Sequence, residues 1–303
     1  MPIAALAAVV ATSACSPAVP APGHPVAVPV AETNATFAAR LQTTSGVPLT
    51  LVLDSGGGSP LLLESVAEEL APAGSLTFAC SAGLPFATRF VVAPESLRAQ
   101  DPIDGQTLEG MLGGVWFDGH VWTWDYGAGS LLLRARGDDP SVAPAHAVAL
   151  GFQSDRGAHT TGFARIPATI DGTVYQFLLD TGAHTRVVPA AQSAGAFPAT
   201  PFATNFISAG IAARWRHEHP SWPYVPGAEI VTGAAMIQVP SVEIGGYRTG
   251  PAWFTLRPDA NFAHFMSSYM DSPVVGSIGG ETLKNFRVAI DYPNQRAYFE
   301  RPP

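Results

Sequence analysis

Two short triplets hold the chemistry in this sequence. Asp54-Ser55-Gly56 follows the apolar run Leu49–Leu53, and Asp180-Thr181-Gly182 follows Val174–Leu179. An Asp at the end of a buried apolar strand is costly unless it is paired or used. The hydroxyl that comes next (Ser55, Thr181) can hydrogen-bond to the other copy and fix the loop. The glycine after it (Gly56, Gly182) permits a tight turn and a close backbone approach. Two symmetry-related copies bring their carboxylates together. Like charges a few ångströms apart cannot both ionise, so such a pair holds one proton over a wide pH range. The ionised member can act as general base on a shared water. The protonated member can polarise a carbonyl and later pass a proton to a leaving amine. The pair titrates as a unit, so the sequence assigns neither role to a particular Asp.

The elements around the triplets repeat with them. The triplets lie 126 residues apart, and the same offset pairs Phe37 with Phe163 and Gly46 with Gly172. A second block pairs Gly110-Met111-Leu112-Gly113-Gly114 with Gly276-Ser277-Ile278-Gly279-Gly280 and runs ungapped to Asp125-Tyr126 against Asp291-Tyr292. Phe90–Pro94 pairs with Phe254–Pro258 between them. One unit therefore occurs twice in the same order, with about 38 residues inserted early in the second copy. Short runs of Val, Ile, Leu, Phe and Thr bounded by Gly, Pro, Asp and Asn read as strands. Continuous apolar runs before each triplet read as buried strands. Glu64–Leu70 and Glu281–Phe286 are the helical candidates, and Val242–Tyr247 followed by Ala252–Leu256 reads as a hairpin.

Val52-Leu53-Asp54-Ser55-Gly56 and Leu178-Leu179-Asp180-Thr181-Gly182 resemble the active-site loops of aspartic peptidases. Met111-Leu112-Gly113 and Ser277-Ile278-Gly279 resemble that family's apolar-apolar-Gly strand, which runs beside each catalytic loop. Ile290-Asp291-Tyr292-Pro293-Asn294-Gln295-Arg296 is similar to the closing strand and turn of bacterial retropepsin-like proteins. The resemblance covers residues 36–303. It implies an all-β, bilobal acid-protease fold of two tandem retropepsin-like lobes with little helix. It further implies an aspartic endopeptidase that cleaves an extended peptide with an activated water, using Asp54 and Asp180 and no cofactor. The two lobes form a pseudo-dimer in one chain, so a monomer is expected. The alternative is a duplicated protease fold that binds a peptide or an envelope partner without cutting it.

The sequence departs from the family after each triplet. Gly57-Gly58-Ser59 and Ala183-His184-Thr185 stand where pepsin-like lobes commonly carry small hydroxyl residues. His184 is a candidate for tuning the pair, against a plain surface position. The first copy leaves about 20 residues for a flap and the second about 60. A flap is therefore expected in the insertion 203–240, where Trp215, Trp222 and Tyr224 are candidate substrate-binding residues. Aromatics on a mobile loop suit a lid over an extended peptide; the alternative is an excursion packed on its own lobe. Asp125 and Asp291 each precede a Tyr and a turn, which favours a structural role. His217 and His219 lack the further ligands a zinc site needs, and no metal site is expected. No Lys-Ser/Thr follows the glycine pairs, and no Gly-x-Ser-x-Gly elbow is present.

Composition fits this plan. The 303 residues include 30 Gly and 28 Pro, are 47% hydrophobic and only 13% charged, and carry a formal net charge of −8. That favours strands and turns, and argues against disorder and against nucleic acid as a partner. Residues 1–14 are small and apolar, and Ala11-Thr12-Ser13-Ala14-Cys15 resembles a lipoprotein processing site with Cys15 as the lipidated residue. Residues 1–15 are thus expected to be a signal peptide and 16–35 a Pro/Ala-rich extended tether. The N-terminal lobe would span 36–138, a linker 139–160, and the C-terminal lobe 161–303. The protein would be exported, as a periplasmic, membrane-anchored or secreted species, touching membrane only through Cys15. Cys80 would then be a buried unpaired thiol.

Overall fold

The apolar run before each triplet is a strand at the middle of a mixed sheet. In the computed structural model, residues 8–16, 20–80, 84–97, 103, 105–138 and 142–302 are described. Pro48–Asp54 lies between its hairpin partner Thr36–Gln42 and the parallel strand Gly110–Gly113. Thr173–Leu179 lies in the same way between Arg165–Ile170 and Gly276–Ile278. Leu51, Leu53, Phe177 and Leu179 are fully buried. Central strands of this kind read as continuous apolar runs rather than as alternation.

The duplication extends to the whole sheet order. The N-terminal lobe runs Val30–Thr33, Thr36–Gln42, Pro48–Asp54, Gly110–Gly113, Leu61–Leu63, Ala87–Ala93, Ala8–Ser13 and Ser75–Phe78. The C-terminal lobe runs Val242–Ile244, Arg165–Ile170, Thr173–Leu179, Gly276–Ile278, Asn205–Ser208, Ala252–Arg257, Met236–Val239 and Tyr224–Val225, with Tyr247–Thr249 added outside Val242–Ile244. Strand senses agree through the centre. Leu61–Leu63 is antiparallel to Gly110–Gly113 and parallel to Ala87–Ala93. Asn205–Ser208 stands in the same relation to Gly276–Ile278 and Ala252–Arg257. The expected all-β plan of two tandem lobes is the one found.

A third sheet joins the lobes. Val121–Asp125 pairs with Arg287–Asp291 about a centre at Thr123 and Ala289, and each brings its own hairpin partner, Ser130–Arg134 or Arg296–Glu300. Val26–Val28 and Ala147–Ala149 close the two edges. One apolar cluster runs through both lobes and includes Phe37, Trp122, Trp124, Phe254, Ile290 and Phe299. The helices are short: α1 (Glu64–Leu70), α2 (Gly114–Phe117), α3 (Pro189–Gly195), α4 (Ala209–Glu218) and α5 (Gly280–Leu283). Helix α1 is as expected, and α5 starts one residue earlier and ends sooner than the expected Glu281–Phe286. The hairpin at 242 closes on Tyr247–Thr249, whereas Ala252–Arg257 pairs with Met236–Val239.

The N-terminal expectations are corrected. Ala8–Ser13 is a strand between Ala87–Ala93 and Ser75–Phe78, with Val9 and Ala11 buried. It fills the place that Met236–Val239 takes in the other lobe, so Ala8–Ser13 belongs to the sheet. Residues 1–7 lie outside the described residues. The strand runs parallel to Ser75–Phe78 with Ser13 opposite Phe78. Two residues further on, Cys15 and Cys80 are 5.1 Å apart at Cα and form a disulfide. Cys15 is therefore cross-linked rather than lipidated, and Cys80 is not a free thiol. The tether is also folded in part, as Val26–Val28 and Val30–Thr33 are edge strands. Disulfides persist in oxidising compartments, which agrees with export. No helix among the described residues is long and apolar enough to cross a membrane.

The disulfide links residues 65 apart in sequence. Closing a loop of that size stabilises by about 4 kcal/mol. Cys15→Ser is expected to lose that much in guanidinium unfolding, and wild type unfolded under reducing conditions is expected to match it. An unchanged midpoint in the variant would count against the bond.

Candidate active site

The two triplets meet where the lobes touch, and they exchange hydrogen bonds reciprocally. The Ser55 hydroxyl donates to the Leu179 carbonyl at 2.7 Å and accepts the Thr181 N–H at 3.0 Å. The Thr181 hydroxyl donates to the Leu53 carbonyl at 3.2 Å and accepts the Ser55 N–H at 3.0 Å. All four bonds cross the interface, and both side chains are 1% exposed. Each hydroxyl satisfies backbone groups that the sharp turn of the opposite loop leaves without a sheet partner.

The glycines bring the carboxyls together. A side-chain carbon at Gly56 would stand 2.5 Å from Asp180 Cγ, and one at Gly182 would fall still closer to Asp54 Cγ. Each carboxyl therefore rests on the backbone of the other loop. Asp54 Oδ1 accepts the N–H groups of Gly56 and Gly57, both at 2.9 Å. The two carboxyls are within hydrogen-bonding reach of each other. Asp180 is 9% exposed and Asp54 is half-buried. Burial pushes both above the usual carboxylate range, Asp180 the further because the Asp54 charge lies beside it. The pair titrates as a unit, and the two N–H groups on Asp54 favour its ionised form.

The loops differ after the triplets for a packing reason. Met111 fills the space that a side chain at 57 would need, its Sδ 2.5 Å from that point. The matching residue of the other lobe is the smaller Ser277, beside Asp180, and position 183 there carries Ala. His184 is half-buried, with Nδ1 2.8 Å from the Gly182 carbonyl oxygen.

Two residues near the carboxyls were not singled out from sequence. Tyr126 and Tyr292 are buried, and neither phenol oxygen has a protein hydrogen-bond partner. Burial, then the charge of Asp180 for Tyr126, raises that phenol; burial, then Asp118 and Asp54, raises Tyr292. Each tyrosine thus senses the Asp of the opposite lobe. The repeated Asp-Tyr pair was the available signal. Its Asp members cap the closing turns: Asp125 Oδ1 accepts the Ala128 N–H at 2.9 Å and Asp291 Oδ1 the Asn294 N–H at 3.0 Å.

The expected lid is corrected. Residues 203–240 continue the C-terminal sheet and carry α4 against it. Trp215 on α4 is 1% exposed, packs on Tyr175, Trp222 and Phe254, and donates to the Tyr175 hydroxyl at 3.1 Å. Trp222 stacks on His219, and the Arg216 guanidinium covers the Tyr224 ring at 3.7 Å. These aromatics hold the excursion to its own lobe because burying their large apolar area outweighs a free loop. His219 is taken by Asp171 at 2.7 Å, and His217 is exposed.

No family model matches the chain, and no curated protein matches it. It is similar to the solved structure of an aspartic proteinase from Irpex lacteus, with 11% identity over 91% of this chain and 97% of that chain, at a TM-score of 0.46.

The carboxyl environment predicts a pH-dependent stability. Asp180 is raised in the folded state, so its contribution is intact below the unfolded carboxyl range, near pH 4, and is lost as pH rises through the folded value. Asp180→Asn removes that loss. Its melting temperature is expected to gain on wild type steadily from pH 4 to pH 7 in calorimetry. A gap that does not change with pH would contradict the raised carboxyl.

Proposed function

We propose that this chain is an aspartic-type endopeptidase and that Asp54 and Asp180 are its catalytic pair. One observation carries the reading: two carboxyls from equivalent loops face each other, each resting on the other loop's glycine. A structural carboxyl pair would be costly to bury, and nothing in the surrounding packing needs it. The resemblance of both loops and both apolar-apolar-Gly strands to aspartic peptidases supports a peptide bond as the substrate.

In this reading the carboxyls bind one water between them. Asp54, ionised, takes a proton from the water as its oxygen attacks the peptide carbonyl carbon. Asp180 gives its proton to the carbonyl oxygen, so no free oxyanion builds up. The tetrahedral diol then collapses. One hydroxyl proton returns to Asp180, the nitrogen takes the proton held by Asp54, and the C–N bond breaks to give an acid and an amine. The pair ends in its starting protonation state. The reciprocal hydroxyl bonds fix the two loops against each other, which supplies the positioning such a step needs. Both carboxyls come from one chain, so a monomer suffices, and the substrate would be an extended protein segment.

Asp54→Asn and Asp180→Asn are each expected to lower the cleavage rate of an unfolded protein by roughly 100- to 10,000-fold, the scale of removing an essential acid or base, while the variants remain folded by circular dichroism. Full cleavage by both variants would overturn the assignment.

A further inference from the structure

Tyr126 and Tyr292 hold equivalent positions in the two copies, but the space beside them is used differently. Beside Tyr292 the chain supplies its own filling. The Phe152 ring lies 5.6 Å from the Tyr292 ring and stacks on the His159 imidazole at 4.1 Å, with 8° between the planes. His159 Nδ1 donates at 2.7 Å to the carboxylate of Asp118, the residue that ends α2. A flat ring and a basic group, gripped by a carboxylate, thus close that side of the molecule.

Beside Tyr126 lies an open cavity of about 430 Å³, a size that suits a small organic ligand. Its walls come from both lobes: Glu32 and Tyr126 from the first, Phe197, Trp253, Glu281 and Lys284 from the second. The walls are fixed in place. Phe197 and Trp253 meet edge to face at 4.7 Å. The Asn34 amide ties the first lobe to the segment after α3, donating to the Thr200 hydroxyl and the Pro201 carbonyl at 3.0 Å each. Charge then selects among occupants. Lys284, the equivalent of Asp118, donates to Glu281 at 2.5 Å, and Glu281 also accepts the Trp253 N–H at 3.2 Å. Those two charges offset each other. Glu32 accepts the Ala35 N–H through Oε1, and a carboxylate has room for further donors. The buried Tyr126 phenol oxygen has no hydrogen-bond partner among the described residues. The lining thus combines aromatic walls with one carboxylate in excess of its cations.

We propose that this cavity binds a planar organic cation of the guanidinium or amidinium class, such as an arginine side chain, with Glu32 meeting its charge and Trp253 and Phe197 its flat body. Aromatic walls attract such cations, and a carboxylate pairs with their N–H groups in a fixed geometry. The combination repeats on a free ligand what Phe152 and His159 supply from within the chain on the other side. The inference does not depend on the endopeptidase reading.

The test titrates benzamidine and benzoate, which share a ring and differ in charge, into the full chain by NMR. The indole N–H signal of Trp253, assigned through Trp253→Phe, reports on the cavity. Benzamidine is expected to move that signal and to bind about tenfold or more tighter than benzoate. Glu32→Gln can still accept the Ala35 N–H, and is expected to weaken benzamidine by about three- to tenfold. Replacing both Asp54 and Asp180 by Asn is expected to leave benzamidine binding unchanged. An unmoved Trp253 signal, or equal binding of the two probes, would overturn the proposal without recourse to a variant. Benzamidine binding that survives Glu32→Gln intact would overturn it too. Loss of binding with the two aspartates would place the cation at the carboxyl pair and refute the cavity as its site.

Discussion

Everything at this site depends on one reciprocal contact. Ser55 and Thr181 each donate to a carbonyl of the opposite loop and accept its N–H. Removing a single buried hydroxyl would leave backbone groups unpaired, which costs about 1–3 kcal/mol. The same exchange fixes the separation of the loops. Gly56 and Gly182 then leave room for the carboxyls at that separation, and no larger residue would. The carboxyls are raised because they are buried and adjacent, and they are adjacent because the hydroxyls and glycines leave no other arrangement.

The sheets exist, in effect, to deliver those loops to one point. Each loop ends a central strand held by a hairpin partner on one side and a parallel strand on the other. A slip of one residue would turn the Asp away from the interface, so the register of both sheets is part of the site. The joining sheet pairs Thr123 with Ala289 at its centre and sets the lobes about that axis. The departures from symmetry are local and close to the carboxyls: Met111 against Ser277, Gly57 against Ala183, Gly58 against His184. A duplicated scaffold with unlike flanks gives two like acids unlike surroundings, which is how a carboxyl pair comes to split its roles.

Much of this was legible in the sequence because it was repeated. The triplets, the glycine blocks and the closing Asp-Tyr turns announced two copies of one unit, and the turn role of Asp125 and Asp291 followed. What the repeat did not mark was harder to read. Ala8–Ser13 has the small apolar composition of a leader and of a buried strand alike, and only its neighbours decide between them. The Cys15–Cys80 bond follows from a parallel register that residues 65 apart do not reveal. Trp215, Trp222 and Tyr224 look like lid aromatics in a list of residues. In the fold, the face of α4 that carries Trp215 turns inward onto Tyr175 and Phe254. Tyr126 and Tyr292 were passed over because an aromatic beside a turn reads as filler until its hydroxyl is found buried without a partner.

The central claim is that Asp54 and Asp180 share one proton. The most direct measurement is a pH titration of the two carboxyl carbons by NMR, with 13C-labelled aspartate assigned through the Asp54→Asn and Asp180→Asn variants. The account predicts two linked steps, with one carboxyl still protonated well above the ordinary carboxylate range and the remaining one changed when its partner is replaced. Two independent titrations near pH 4, each unaffected by loss of the other residue, would contradict it.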